Sequence, residues 1–233
     1  MQIIIDEDWK GWAPDLQIGS ILAEVVVGDS GDELNAELDR LVKEIEATLP
    51  VSNIAKEAAI AAMRKTYRRV GKDPTKYRVS SESLLRRIGR GLGLYRVNNV
   101  VEINNYISMK SRCPVCAYDT SEIEGDIRFT VAPEGTVYEG IGRGKLNIEF
   151  LPVFMDEAGA FGSLTSDSAR TCISQKTRKI LFNLVSVHPH DDMERWIREA
   201  AELLELHAQG QMKEIRIWKG AWISIKRKGR RAK

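Results

Sequence analysis

The stretch from Val97 to Asp119 reads VNNVVEINNYISMKSRCPVCAYD and decides more about the fold than any other part of the chain. Its apolar residues recur at the spacing of one helical face: Val100, Ile103 and Ile107. Asn99 and Glu102 have the spacing of a reciprocal N-terminal cap, and the helix is expected to end in a Cys-Pro-Val-Cys turn. Polar residues interrupt the apolar face, so we expect a half-buried helix that carries side chains into a pocket.

Patterns on either side of this helix predict a mixed α/β (α+β) fold. Short β-branched or apolar runs predict strands, and leucines and isoleucines at helical spacing predict helices. The predicted strands are Ile3–Ile5, Ile21–Val27, Ile127–Val131, Val137–Glu139, Leu151–Met155 and Lys179–Val187, with a hairpin formed by Ile215–Trp218 and Trp222–Ile225. The other predicted helices are Glu33–Leu49, a segment at 54–69, Leu84–Gly91 and Met193–Ala208. We expect mixed, mostly antiparallel sheets with helices packed around them, in a single compact domain of residues 1–225 followed by a basic tail at 226–233.

The bulk composition is that of an ordinary globular protein. The chain has 233 residues, 43% of them hydrophobic and 29% charged. No apolar run is long enough to cross a bilayer, and the amino terminus MQIIIDEDW lacks the features of a secretion signal. Three cysteines do not make a disulfide framework and suit a reducing compartment. These features predict a cytoplasmic protein without a membrane partner, and they leave its oligomeric state undetermined.

Positive charge is concentrated between residues 64 and 90, although the formal net charge is only +2. Such a cluster is typical of a surface that binds a phosphate backbone, and Tyr77 within it could stack on an unpaired base. The alternative is that these side chains are solvated or pair with nearby acids. The candidate RNA-binding residues are Arg68, Arg69, Lys76, Arg78, Arg86, Arg87 and Arg90.

A second candidate site is the polar segment 163–171, SLTSDSART, which directly follows the glycine-rich segment 159–162. Glycines allow backbone N–H groups to approach a ligand, so such a segment could bind a ribose, a phosphate or a carbonyl oxygen. It could equally be a turn whose hydroxyl groups satisfy their own backbone. The nearby GIGRG segment at 140–144 does not have the spacing of a phosphate-binding loop.

The cysteine pair Cys113 and Cys116 allows three interpretations. A zinc site would need Cys172 or a histidine to complete it, and a redox pair would normally lie at a helix N-terminus rather than after a helix. The third interpretation is two inert thiols in the wall of a pocket. His188 and His190 are interpreted as part of the turn before the last helix.

Four segments in the same order resemble the editing (B3/B4-type) domain of the phenylalanyl-tRNA synthetase beta subunit. NNVVEINNYI at 98–107 resembles "NNVVDITNYV", and PVCAYD at 114–119 resembles "PLHAFD". SLLRR at 83–87 lies where that family has "WLxxRL", and GAFG at 159–162 resembles "GGIFGG". The resemblance covers roughly the middle half of the chain and implies a B3/B4-like core at about residues 64–190.

The resemblance also implies a function, because that domain hydrolyses the ester of tRNA-Phe wrongly charged with tyrosine. An aminoacyl ester is reactive, so such a site needs mainly to position a water and to donate hydrogen bonds to the carbonyl oxygen. The candidate catalytic residues, which come from the polar segment 163–171, are Thr165, Ser166 and Asp167. The implied pocket residues are Asn105, Cys116, Tyr118, Gly159, Phe161, Gly162, Ser163 and Arg170. The implied partners are tRNA or another RNA and the amino-acid moiety it carries, with no cofactor and no metal.

Two residues depart from the family pattern. Cys116 stands where the family has the histidine of "PLHAFD", and Ser163 to Thr165 stand where it continues with the glutamate that recognises the tyrosine hydroxyl. Both positions set substrate choice, so the resemblance does not specify the amino acid. One hypothesis is therefore a freestanding aminoacyl-tRNA deacylase that acts in trans. The other is a non-catalytic module on the same fold that binds RNA, a free amino acid or a small metabolite. The chain lacks aminoacylation motifs, so a complete ligase is not expected.

Overall fold

Two β-sheets pack face to face, and helices cover the outer face of one of them. The structure is a computed structural model that describes residues 2–219 and 222–223. Its strands are β1 (Ile3–Asp6), β2 (Gln17–Glu24), β3 (Val115–Asp119), β4 (Ile127–Val131), β5 (Val137–Gly140), β6 (Gly144–Asn147), β7 (Pro152–Asp156), β8 (Gly159–Ser163), β9 (Lys179–Ser186), β10 (Gln211–Lys219) and β11 (Trp222–Ile223).

Most helices lie close to their predicted positions. They are α1 (Trp9–Trp12), α2 (Asp32–Thr48), α3 (Ala58–Arg69), α4 (Ser80–Ile88), α5 (Asn99–Ser111) and α6 (Met193–Ala208), with short 3-10 turns at Ile54–Lys56 and Thr120–Glu122. None of the helices within the described ranges is both long and apolar enough to cross a membrane.

The strands are mostly antiparallel. One sheet has the order β11-β1-β4-β7-β8, in which only β1 pairs in parallel, with β11 on one side and β4 on the other. The second sheet, β10-β2-β9-β3, is antiparallel throughout, and β5 with β6 forms a separate ribbon. The predicted α/β (α+β) fold with mixed, mostly antiparallel sheets and helices packed around them is confirmed.

Alternate residues of the four-stranded sheet face two different cores, as the two-residue period of a strand requires. Phe182 and Val115 face the helical core, under α2, α4, α5 and α6. Leu181 and Tyr118 face the inter-sheet core, against the five-stranded sheet. A side-chain carbon at Gly19 would lie 2.4 Å from an Ile197 carbon atom, so glycine there lets α6 approach the sheet closely.

The N-terminal cap of helix α5 lies one residue earlier than predicted, at Asn98. The Asn98 side chain, not that of Asn99, accepts the hydrogen bond from the Val101 amide, at 2.9 Å. Asn99 instead ties the helix to its surroundings, because its amide group donates to the carbonyl oxygens of Val26 and His207. The N-terminal cap of α6 is Asp192, whose side chain accepts a hydrogen bond from the Arg195 amide at 3.1 Å.

Three local predictions are wrong. The turn expected after α5 is strand β3, and the glycine-rich loop expected at 159–162 is strand β8, because tertiary pairing with β9 and β7 extends both segments. The C-terminal hairpin does not form: β10 pairs with β2, whereas β11 pairs with β1 in the other sheet. Residues from 224 onward lie outside the described part of the chain, so the basic tail at 226–233 and the domain limits stay predictions.

Candidate active site and basic surface

The predicted site segments meet where β3 of one sheet faces β8 of the other. The Tyr118 ring on β3 lies 4.9 Å from the Phe161 ring on β8, and the two rings are perpendicular. The Tyr118 hydroxyl donates to Oδ1 of Asp167 at 3.1 Å. Residues that are 49 positions apart in the sequence are thus joined by a direct hydrogen bond.

An irregularity in strand pairing presents two consecutive residues of β8 to Tyr118. The register between β7 and β8 shifts by one residue, so that Phe154 pairs with Gly162 but Met155 pairs with Ala160. Such a bulge redirects side chains locally. A side-chain carbon at Gly162 would lie 2.0 Å from the Tyr118 hydroxyl, so Gly162 must lack one.

The segment after β8 is a tight turn that satisfies much of its own backbone. The Ser163 hydroxyl donates to the Ser166 carbonyl oxygen at 2.6 Å and accepts from the Ser166 amide at 3.0 Å. Tyr138 on β5 donates to the Ser163 hydroxyl at 3.1 Å and also to the Ser166 carbonyl oxygen. Ser163 therefore shapes the turn and is fully enclosed by protein atoms.

Asp167 is the distinctive group of this turn. It is half-buried, and no cation within the described ranges forms a salt bridge with it. Burial raises the pKa of its carboxyl group to about 7, although hydrogen bonds from Tyr118 and from the Ser163 amide act in the opposite direction. A carboxyl group with a pKa near neutrality can accept a proton from a water molecule and release it again at physiological pH.

Hydroxyl groups lie beside this carboxyl group on the same turn. Thr165 is half-buried, and its hydroxyl shares a 2.9 Å hydrogen bond with the hydroxyl of Tyr67, which comes from α3. Ser166 is also half-buried. The three predicted catalytic residues, Thr165, Ser166 and Asp167, therefore form one partly accessible rim.

Packed side chains fill the space behind this rim. Cys116 is 1% exposed, and its sulfur lies 4.0 Å from the Ser163 carbonyl oxygen. Tyr118 and Phe161 are fully buried between the two sheets. No amino acid could lie between Cys116 and Gly162 without displacing Tyr118.

Two further pocket candidates hold the strands in place. Arg170 forms a bidentate salt bridge with the buried Asp156, at 2.8 and 2.9 Å. Burial acts to raise the pKa of Asp156, but hydrogen bonds from Arg170 and from the Glu124 amide outweigh it and lower that pKa below its ordinary value. Gly159 has a φ of +118° at the start of β8, a backbone conformation that favours glycine. Asp156 therefore neutralises the charge of Arg170.

Asn105 does not join the group. It lies on α5, whose apolar residues pack in the helical core together with Val115, whereas Cys116 and Tyr118 face the inter-sheet core. The four-stranded sheet therefore separates Asn105 from the turn at 163–167. Strand β3 contributes to the candidate site, but the preceding helix does not.

The two cysteines of the Cys-Pro-Val-Cys segment face opposite sides of β3. Cys113 packs in the helical core and donates to Asp191 at 3.3 Å, whereas Cys116 packs in the inter-sheet core. Burial raises the pKa of both thiols well above the ordinary value, which disfavours the reactive thiolate. Within the described part of the chain, no group of three or more potential ligands could hold a metal ion.

The basic cluster divides into structural and exposed members. Glu82 on α4 is fully buried, and two arginines neutralise it: Arg64 through bonds of 2.9 and 3.0 Å, and Arg86 through a bond of 2.8 Å. Arg69 donates to the carbonyl oxygen of Trp12 at 2.8 Å. Arg86 is therefore part of a buried ion-pair network rather than a free cation on a helix surface.

Other members of the cluster lie at the surface. Arg68, Lys76 and Arg90 are exposed and form no salt bridge with any residue that the structure describes. Arg87 is half-buried and donates to the Tyr95 hydroxyl and to the Leu92 carbonyl oxygen. Arg78 is half-buried, and its buried Nε has no hydrogen-bond partner.

Tyr77, the residue predicted to stack on a base, is half-buried and already covered. The ammonium group of Lys72 lies 4.2 Å from the centre of its ring. Burial lowers the pKa of Lys72, which itself is only 7% exposed. The Tyr77 ring is thus occupied by a cation from its own loop.

The sequence patterns did not identify two tyrosines that complete the rim. Tyr67 lies in the basic segment 64–69, and Tyr138 lies on a short strand before a glycine-rich turn. Neither segment resembles a catalytic motif. Their roles depend on contacts with Thr165 and Ser163, almost 100 and 25 residues away, so only the tertiary structure could find them.

The fold and site define an α/β protein with two packed sheets and a polar rim between them. The family model of the B3/4 domain matches residues 62–210, which is 149 of the 233 residues, and the chain belongs to this family. The chain is 32% identical over 121 residues to the phenylalanine–tRNA ligase beta subunit of Bacteroides fragilis, and 31% identical over 119 residues to that of Porphyromonas gingivalis. These matches cover 48% and 47% of this chain, but only 13% and 14% of the two relatives.

One solved structure is similar to this chain at a low level. It is an N-terminal fragment of the phenylalanyl-tRNA synthetase beta subunit from Pyrococcus horikoshii, with a TM-score of 0.45 and 10% identity. The match covers 91% of this chain and 50% of that fragment.

Proposed function

We propose that this protein binds the aminoacylated end of a tRNA in the cytoplasm and hydrolyses the aminoacyl ester in trans. The single observation that carries the proposal is the position of Asp167. Asp167 is half-buried on the turn, and its carboxyl group has a pKa of about 7 because of its burial and accepts a hydrogen bond from Tyr118 of the "HAFD"-like segment.

Asp167 would act as a general base that takes a proton from an attacking water. The water oxygen would bond to the carbonyl carbon, the bond from that carbon to the ribose oxygen would break, and the proton held by Asp167 would pass to the leaving ribose oxygen. The products are a free amino acid and an uncharged tRNA. The Thr165 and Tyr67 hydroxyls, which share a hydrogen bond, would position the water or donate to the carbonyl oxygen. Family membership supports this substrate, because the named relatives are subunits of a tRNA ligase.

A second candidate is a module on the same fold that binds RNA without turnover. The observation that favours it is the filled space behind the rim, where the Tyr118 hydroxyl lies against Gly162. Here the exposed cations Arg68, Lys76 and Arg90 would bind phosphate groups, and no ester would be cleaved.

Incubation of the full chain with a panel of mischarged tRNAs tests the proposal, with release of the amino acid as the readout. We expect Asp167→Asn to slow hydrolysis by at least about 100-fold, because the amide cannot accept the proton. Asp126→Asn makes the same chemical change at an exposed position and should leave the rate unaltered. The wild-type rate should rise as pH increases toward about 7 and then level off, since the base acts in its ionised form.

Binding measurements with the same tRNAs separate the two candidates. If every ester survives at its uncatalysed rate while tRNA still binds, the second candidate is correct. If tRNA does not bind at all, neither function holds. Equal losses of binding and hydrolysis in Asp167→Asn would indicate a folding defect, which thermal unfolding of the variant would detect.

A further inference from the structure

The loop between α4 and α5, residues 89–98, exposes large side chains beside a row of arginines. Tyr95 is 65% exposed, and Leu92 and Val97 are each 56% exposed. Singly exposed apolar residues are normal on a protein surface, but three within six residues form a small patch. The loop lies directly after the helix that carries Arg86 and Arg87.

Hydrogen bonds hold both ends of this loop. At its start, the Leu92 amide donates to the Arg87 carbonyl oxygen at 3.2 Å, and Gly91 has a φ of +71°, which is the usual glycine C-terminal cap of a helix. At its end, Arg96 pairs with Asp39 at 2.5 Å and with Glu102 at 3.2 Å. The position of Tyr95 is therefore fixed from both sides.

Arg87 supports Tyr95 directly. Its guanidinium carbon lies 3.7 Å from the centre of the Tyr95 ring, and its Nη1 donates to the Tyr95 hydroxyl at 2.9 Å. Nη2 of the same group donates to the Leu92 carbonyl oxygen at 3.0 Å. One face of the ring is thus held by a cation, and most of the side chain stays accessible.

The charge around this platform is positive. Arg90 is exposed and forms no salt bridge with any residue that the structure describes, and no acid pairs with Arg87 there. An exposed aromatic ring next to unpaired cations is the combination that binds a base together with its phosphate. By contrast the ring of Tyr77, the tyrosine predicted to stack on a base, is covered by Lys72.

We propose that Tyr95, held by Arg87, is a stacking platform for an unpaired base of single-stranded RNA, with Arg90 binding the adjacent phosphate. The proposal rests on the proposed RNA-binding function and names the residues that bind the single strand. It changes the role of Arg87 from a phosphate contact to a support for the ring. The exposed ring favours RNA over a protein partner because Arg87, which contacts it, and Arg90, five residues earlier in the chain, form no salt bridge with any acid that the structure describes.

The test measures binding of the full chain to deacylated tRNA and to a single-stranded RNA oligonucleotide that contains 2-aminopurine. We expect Tyr95→Ala to weaken oligonucleotide binding by about 5-fold or more, since stacking on an aromatic ring contributes roughly 1–3 kcal/mol per base. Tyr95→Phe keeps the ring and should bind within about twofold of the wild type. Fluorescence quenching of 2-aminopurine should occur with the wild type and Tyr95→Phe and be lost in Tyr95→Ala.

Salt dependence and a matched control distinguish the contributions. Tyr95→Ala should leave the salt dependence of binding unchanged, whereas Arg90→Ala should reduce its slope by about 0.7, as expected for the loss of one phosphate contact on a single strand. Leu206→Ala removes a 62% exposed apolar side chain from α6 and should have no effect. If the wild type binds tRNA and Tyr95→Ala binds and quenches equally well, the platform is refuted and the patch becomes a candidate protein contact. If the wild type binds no RNA, both the proposed function and the stacking platform are refuted.

Discussion

Two carboxyl groups, Glu82 on α4 and Asp167 after β8, have opposite surroundings. Glu82 is fully buried and receives hydrogen bonds from two arginines, so its negative charge is neutralised within the fold. Asp167 is half-buried and receives a hydrogen bond from a neutral tyrosine, so its charge is not neutralised, and its pKa rises to about 7. A high density of charged residues in a sequence therefore does not identify a reactive site. A buried charged group that has no partner of opposite charge is a better indicator of such a site.

The largest expected effect is on the pH dependence of the free energy of unfolding, measured in the wild type and in Asp167→Asn. The folded pKa of about 7 lies above the ordinary value of 3.8, so the folded state binds more protons than the unfolded state between these values. The stability contributed by the protonated form is complete below about pH 4 and is lost as pH rises through 7. This change in pKa corresponds to a loss of up to roughly 4 kcal/mol at pH 8, relative to pH 4.

Urea unfolding at several pH values measures this loss. Asp167→Asn cannot ionise, so its free energy of unfolding should exceed that of the wild type at pH 8 and equal it near pH 4. Asp126→Asn controls for the loss of an exposed carboxyl group. If the free energy of unfolding depends on pH in the same way in the wild type and in Asp167→Asn, the charge of Asp167 is as well stabilised as that of Glu82.

The next largest effect is expected on the Glu82 side of the comparison. Arg86→Ala leaves the buried carboxylate with Arg64 alone, and we expect the free energy of unfolding to fall by roughly 2–3 kcal/mol. Arg90→Ala, four residues further along, should change it by less than about 0.5 kcal/mol because Arg90 is exposed. Equal stability of the two variants, measured by urea unfolding, would mean that Arg86 is a surface cation after all.

The smallest effect is expected at the contact between Gly162 and Tyr118, the residue that donates a hydrogen bond to Asp167. Gly162→Ala places a carbon atom against the Tyr118 hydroxyl, which must move and so loosens its hydrogen bond to Asp167. Overpacking of this kind costs about 1–3 kcal/mol. Gly28→Ala is the matched control, because nothing lies within 4 Å of the added carbon there. A shift of the melting temperature that is no larger in Gly162→Ala than in Gly28→Ala would contradict the close packing of β3 and β8.

Several elements could be predicted from local sequence because their physics is local. Helix α6 occupies its predicted residues Met193–Ala208, since a polar cap, an apolar stripe and a following glycine all agree. Strand β4 likewise forms at Ile127–Val131 as predicted. The resemblance of residues 159–162 to a glycine-rich loop predicts a loop there, but the segment pairs with β7 as strand β8 although glycine disfavours strands.

The sequence predicts some members of the candidate site, but it misses Tyr67 and Tyr138 and does not give the geometry. The resemblance identifies Tyr118 and Gly162, and the polar segment 163–171 identifies Asp167, yet the sequence does not show that Tyr118 fills the space in front of Gly162. Asn105 is a predicted pocket residue because its helix resembles the family helix that is expected to carry side chains into the pocket. The alternation of side chains along β3 puts the helix and the rim on opposite faces of the sheet.

By itself, the sequence determined the family, the class of fold and which segments carry unusual polar residues, because periodicity, caps and motif order are properties of neighbouring residues. The tertiary structure alone decided which charges are neutralised, which rings are exposed and which thiols are buried. These properties depend on distances between residues far apart in the chain, such as Arg64 to Glu82 and Tyr118 to Asp167. Electrostatic and packing energies depend on those distances, and no local pattern encodes them.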